Sequence, residues 1–145
     1  MKISILLPYK ENYSPEYAGA VSIFVNSVTK ISKYKRNIKI YGSTDYKKIL
    51  SDNYKNIALS KKFLSSQSKN YVNKFLKIQE QEKPDIIEVH NRPIYIRDLE
   101  KLNSKIVLYF HNDPISMIGS KTVSDRIYLL KTCAKIIFNS YYFNL

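Results

Sequence analysis

Cysteine and glycine are scarce in this chain, whose 145 residues include one cysteine and three glycines. The lone cysteine, Cys133, excludes an internal disulfide and favours a reducing compartment. The few glycines form neither a GxGxxG dinucleotide fingerprint nor the phosphate-binding loop of an NTPase. No sequence motif therefore assigns a nucleotide to this protein.

Long apolar runs are missing as well. No stretch reaches the 18 or more apolar residues that indicate a transmembrane helix. The apolar run at residues 3–7 stops at Pro8, and a secretory signal needs an apolar region of roughly 7–15 residues. We therefore expect a cytoplasmic chain, and its length predicts one domain over residues 1–145.

The charge is strongly one-sided, with a formal net charge of +12. Residues 1–83 carry 16 basic and 6 acidic residues, whereas residues 84–145 carry 8 and 6. A basic half favours an anionic partner such as membrane lipid or nucleic acid, but a solvated lysine-rich face explains it equally well. No recognition helix or RNA-binding sheet signature accompanies the charge, so we expect no nucleic-acid partner.

Strand-like and helix-like patterns alternate along the chain. Short apolar runs predict strands at 3–7, 37–42, 85–90, 105–111 and 134–138, with a further short strand near 57–59. Helical spacing predicts helices at 19–34, across Tyr71–Ile78, at 94–103 and at 122–133, the last capped by Ser120 or Ser124. Apolar strands separated by helices predict an α/β fold, a Rossmann-like parallel sheet with helices on both faces.

Ligands of such sheets bind at the carboxyl ends of the strands. The loops of interest are then residues 8–20, 90–94, 111–119 and the segment from 139 onward. Small residues at a helix start, here Ala18, Gly19 and Ala20, let an anion approach backbone N–H groups, although they also serve plain helix–sheet packing.

Both histidines, His90 and His111, are predicted to end a strand. Asn112 and Asp113 follow His111, and Arg92 offers a bidentate partner for a phosphate or carboxylate. Structural capping explains these residues equally well. A metal site from His90, His111 and Asp113 is conceivable, but nothing in the spacing requires one. Cys133 is expected in the core.

These loops carry a resemblance to a known family. The chain resembles the amino-terminal domain of GT-B-fold retaining glycosyltransferases of the family 4 type, which act in envelope polysaccharide and lipopolysaccharide synthesis. The resemblance covers nearly the whole chain and rests on four motifs in order, at residues 16–21, 84–93, 107–114 and 133–140.

The resemblance implies specific roles. Ala18, Gly19 and Ala20 would face the donor diphosphate, where many relatives have two glycines and Ala20 is a departure. His111 would bind a donor hydroxyl and support the developing oxocarbenium charge. The cleft-lining residues on the acceptor side would be His90, Asn91, Arg92, Asn112 and Asp113.

The resemblance also implies the partners: a nucleotide-sugar donor, a glycan or lipid-linked acceptor, no bound metal or other cofactor, and a peripheral contact at the inner face of the cytoplasmic membrane. The family's second domain, with its paired glutamates, has no counterpart here. We expect the chain to be an amino-terminal half that ends in the apolar residues 141–145 and is inactive alone, as a truncated gene product, a split reading frame or a remnant. The alternative is a non-catalytic Rossmann-like binding module, which would pair with a separately encoded donor-binding domain.

Overall fold

The computed structural model describes residues 1–59 and 66–139. Its strands are β1 (Ile3–Leu6), β2 (Ile38–Gly42), β3 (Tyr54–Asn56), β4 (Ile86–His90), β5 (Lys105–Phe110) and β6 (Lys135–Phe138). Its helices are α1 (Ala20–Ile31), α2 (Gln67–Glu82), α3 (Ile96–Leu99) and α4 (Val123–Thr132). The predicted α/β class is confirmed.

The six strands form one sheet in the order β3-β2-β1-β4-β5-β6, and every neighbouring pair is parallel. This is the strand order of the doubly wound Rossmann-like sheet. The first three strands extend the sheet to one side and the last three extend it to the other side, so the strand order reverses between the two halves. The reversal lies between β1 and β4, where Ile3 pairs with Ile86 and Leu6 pairs with Val89. The carboxyl ends of these two strands therefore mark the expected ligand crevice.

Helices cover both faces of the sheet. Successive strand residues point to opposite faces, so Ile5 and Leu6 of β1 belong to two different apolar clusters. On one face, Ile5 and its neighbours pack against α1 through Val21 and Val25. On the other face, α2, α3 and α4 cover the sheet through Tyr71, Val72, Phe75, Ile96, Leu99 and Leu129.

Two predicted elements are wrong in position or length. The short strand near residues 57–59 is instead β3, where Tyr54 stacks on Tyr13 at 4.7 Å between ring centroids. Ile57 follows the strand and is buried, so its apolar character reflects core packing rather than strand pairing. The helix at 94–103 is only a 3₁₀ turn followed by α3, which ends at Leu99 before a turn leads into β5.

The predicted caps of the last helix are also wrong. Thr122 caps α4, and its hydroxyl accepts from the Asp125 N–H while the Asp125 carboxylate accepts from the Thr122 N–H. Neither Ser120 nor Ser124 is the cap, because this reciprocal capping box satisfies two backbone donors at once. Cys133 is only partly buried and packs at the margin of the core, where burial raises the pKa of its thiol to about 11.

Among the described residues, no helix is both long enough and apolar enough to cross a bilayer. Ser140, which belongs to the fourth motif, and the apolar segment 141–145 lie outside the described residues. The second domain that the resemblance implies stays a prediction.

Candidate functional site at the carboxyl edge of the sheet

The parallel sheet brings the loops after β1, β4, β5 and β6 to one edge. His90 is the last residue of β4, and His111 follows directly after β5 rather than ending it as predicted. The two rings meet across the strands, with His90 Nδ1 2.8 Å from His111 Nε2. The only two histidines of the chain are therefore hydrogen-bonded to each other.

The two histidines belong to a longer row of side chains. His90 Nε2 lies 2.6 Å from Glu88 Oε1, and Asn139 Nδ2 lies 2.9 Å from His111 Nδ1. The row Glu88–His90–His111–Asn139 thus crosses β4, β5 and the end of β6. Sequence reasoning missed Glu88, although its position two residues before His90 places both on one face of a strand.

Aromatic rings enclose the two imidazoles. His90 is fully buried, and Tyr109 stacks on both rings at 5.3 Å and 4.6 Å. Phe24 of α1 packs edge-on against His111 at 4.9 Å. Burial and then the neighbouring His90 lower the pKa of His111 to about 4, partly opposed by the Glu88 charge. At neutral pH His111 is therefore an uncharged imidazole.

Asn91 joins the two histidine loops. It adopts a left-handed conformation with φ of 52°, and its buried side-chain oxygen accepts hydrogen bonds from the backbone N–H groups of His111 at 2.7 Å and Asn112 at 3.3 Å. Arg92 is half-buried and donates to the Asn91 carbonyl at 2.8 Å. Asn91 therefore fixes the backbone of His111, and Arg92 is held beside the same turn.

The loop after β5 is shaped by its own polar residues. The Asp113 carboxylate accepts from the Ile115 N–H at 2.9 Å and caps a 3₁₀ turn, while Asn112 is exposed. Gly119 has φ of +96°, and a Cβ there would lie 2.6 Å from the Ile94 nitrogen. The glycine thus lets the β5 loop lie against the β4 loop.

The small residues at the start of α1 face a carboxylate of the chain itself. Glu11 Oε1 accepts from the Ser22 N–H at 3.0 Å, and a Cβ on Gly19 would overlap the Glu11 carboxylate. Gly19 precedes the helix and Ala20 is its first residue. Glu11 therefore occupies the end of the helix where the sequence predicts an anion. The Gly19 N–H donates to the Asn12 carbonyl at 3.1 Å, and the amides of Ala20 and Val21 have no intrahelical partner.

The groups at this edge that could bind a ligand are backbone N–H groups at the start of α1 and the imidazole of His111. The edge combines a helix amino end, which attracts an anion, with an uncharged imidazole nearby. Within residues 1–59 and 66–139, no group of three His, Cys, Asp or Glu side chains is placed to hold a metal ion. His90, His111 and Asp113 accordingly form no such group.

Two open clefts in the described part of the chain are lined by other residues than the histidine row. One of about 1090 Å³ is at the opposite edge of the sheet, lined by the starts of β4 and β5 and by Lys83 and Lys101. The other, of about 470 Å³, is a mostly apolar groove between α4 and β6, and Asp113 and Pro114 of the β5 loop also line it. Neither contains a histidine, so volume alone does not identify the reactive groups of this protein.

The structure of this chain itself gives the strand order, the pair of histidines and the small residues at the start of α1. Compared with protein-family models and with curated proteins, the sequence matches none.

Proposed function

We propose that this chain is the acceptor-side domain of a glycosyltransferase that uses a nucleotide sugar. One observation carries the proposal: α1, which starts with small residues, packs through Phe24 against an uncharged His111 at the carboxyl edge, beside the reversal of strand order. The amino end of α1 suits a diphosphate, and His111 suits an uncharged sugar. A nucleotide sugar carries both in one molecule.

In this proposal the two ends of the ligand have separate partners. The diphosphate approaches the backbone of Gly19 and Ala20 and displaces the Glu11 carboxylate from the Ser22 N–H, because two anions repel each other there. The sugar lies against His111. Arg92 and the exposed Asn112 then border the acceptor side, with Asn91 holding the His111 backbone.

The proposed acceptor is a glycan or a lipid-linked saccharide of the cell envelope. The net charge of +10 over residues 1–83 supports a peripheral contact with anionic lipid at the inner face of the cytoplasmic membrane. A second domain would complete the donor-binding site, so residues 1–145 by themselves bind the donor weakly and do not turn it over.

A binding panel tests this proposal. The chain is titrated at low salt with nucleotide sugars of different bases, with NAD and with inorganic pyrophosphate, by saturation-transfer NMR, which detects millimolar affinity. We expect at least one nucleotide sugar to bind better than NAD. His111→Ala should weaken that binding, because the sugar lies against His111, whereas Lys101→Ala at the opposite edge of the sheet should not. Preference for NAD, or no binding by any nucleotide sugar, overturns the proposal.

A non-catalytic binding module is the second candidate, and one observation favours it. Both ring nitrogens of His111 and both of His90 are already occupied by other side chains. Such a module would bind a glycan without any nucleotide. A glycan array separates the two candidates: retention of a glycan with no effect of added nucleotide sugar favours the module, and nucleotide-dependent retention favours the transferase domain.

A further inference from the structure

The row Glu88–His90–His111–Asn139 has three hydrogen bonds whose proton positions are linked. A carboxylate can only accept, so the 2.6 Å contact with Glu88 requires a proton on His90 Nε2. An uncharged His90 then has a lone pair on Nδ1, and the 2.8 Å contact requires His111 Nε2–H to donate to it.

The same reasoning fixes the outer end of the row. With its proton on Nε2, His111 has a lone pair on Nδ1, and that lone pair accepts from Asn139 Nδ2 at 2.9 Å. All three bonds are then satisfied with both imidazoles uncharged. Each ring holds its proton on Nε2, and both donate towards Glu88.

The surroundings of His111 favour its uncharged state. On the α1 side, Phe24 presents an apolar ring to His111, and on β5 the Tyr109 ring stacks against both imidazoles. Burial raises the pKa of the Tyr109 hydroxyl, so it is also uncharged. Within residues 1–59 and 66–139, Glu88 is the one charged side chain that hydrogen-bonds to either imidazole, and it lies at the inner end of the row beside the fully buried His90.

We propose that Glu88 is a positioning residue, which acts through His90 to hold His111 in the Nε2–H tautomer with an acceptor lone pair at Nδ1. This inference deepens the proposed function and rests on it for the identity of the ligand. Nδ1 lies at the exposed end of the row, where Asn139 is itself exposed and displaceable. An acceptor there suits the O–H of a sugar and repels a phosphate oxygen, which can only accept.

The tautomers are measured directly by ¹⁵N NMR of the imidazole nitrogens in the full chain without any nucleotide sugar. We expect both histidines as Nε2–H at pH 7.5. Glu88→Ala should convert both to mixtures of the two tautomers, whereas Glu88→Gln, which keeps an acceptor oxygen, should retain Nε2–H. Glu80→Ala removes an exposed carboxylate from α2 and serves as the control that changes neither ring.

An Nδ1–H tautomer of His111 in the unmodified chain overturns the inference, and so do unchanged tautomers in Glu88→Ala. Because no nucleotide sugar is present, failure of the proposed function does not change these readings. The tautomer inference and the proposed function can therefore be rejected independently of each other.

Discussion

The carboxylate of Glu11 lies over Gly19 so closely that a side chain on Gly19 would overlap it. The same carboxylate accepts a hydrogen bond from the Ser22 N–H in the first turn of α1. The chain thus supplies its own anion to the helix end that a diphosphate would use. Gly19 is required by this internal contact before any ligand is considered.

Gly19→Ala is expected to lower the free energy of unfolding by about 1 kcal/mol, the usual value of a lost interaction at a helix start. The backbone at Gly19 has φ of −70°, which alanine adopts readily, so the loss comes from displacing Glu11 and not from strain. Urea unfolding of Gly19→Ala, of Glu11→Ala and of the double variant Glu11→Ala/Gly19→Ala measures how far the two losses of unfolding free energy depend on each other. If the two losses add, Glu11 and Gly19 are independent and this explanation is wrong.

Thr122→Ala is expected to destabilise the fold by about 1 kcal/mol, since it removes one half of the α4 capping box. Ser124→Ala is the matched control, because Ser124 is exposed and lies inside the helix. Thermal unfolding compares the two. An equal effect of both substitutions would contradict the assignment of Thr122 as the cap.

The stability of the chain should depend on pH through His111. Its pKa is about 4 in the folded chain and about 6.5 in an unfolded one. Between these values the unfolded state binds more protons, so stability is complete above pH 6.5 and falls as the pH is lowered towards 4. His111→Gln should flatten the slope of unfolding free energy between pH 4.5 and 6.5. A slope that stays unchanged in this variant would mean that His111 is not the titrating group.

Asn139→Asp should raise the pKa of His111 by about one unit, because it places a carboxylate beside Nδ1. Asn112→Asp adds the same charge in the neighbouring β5 loop and should change the pKa of His111 much less. NMR titration of the ring protons measures both variants. Equal shifts would show that general charge, and not the contact with Asn139, controls the ring.

The sequence predicted the sheet well because continuous apolar runs such as Ile106–Phe110 are typical of parallel strands that are buried on both faces. It misplaced β3 because an edge strand of three residues has only Tyr54 buried, so its pattern is weak. It missed Thr122 because Ser and Thr residues crowd that loop, and only the partner Asp125 distinguishes the cap.

The positions of the candidate site residues were predicted in part. His90, His111 and the Ala18–Ala20 turn lie at the carboxyl edge of the sheet, where the strand pattern placed them, since strand ends follow from strand positions. The contacts were not predictable in the same way. Glu11 reaches Ser22 across a loop, and the pairing of His90 with His111 depends on the register of β4 against β5.

The central claim is that a nucleotide sugar binds at the carboxyl edge of this sheet, and amide NMR shift mapping tests it most directly. Titration with the best-bound nucleotide sugar should shift the amides of Gly19, Ala20 and Ser22 together with the His111 ring, with one common saturation curve. Shifts confined to Lys83 and Lys101 at the opposite edge, or no saturable shift at all, would contradict the account.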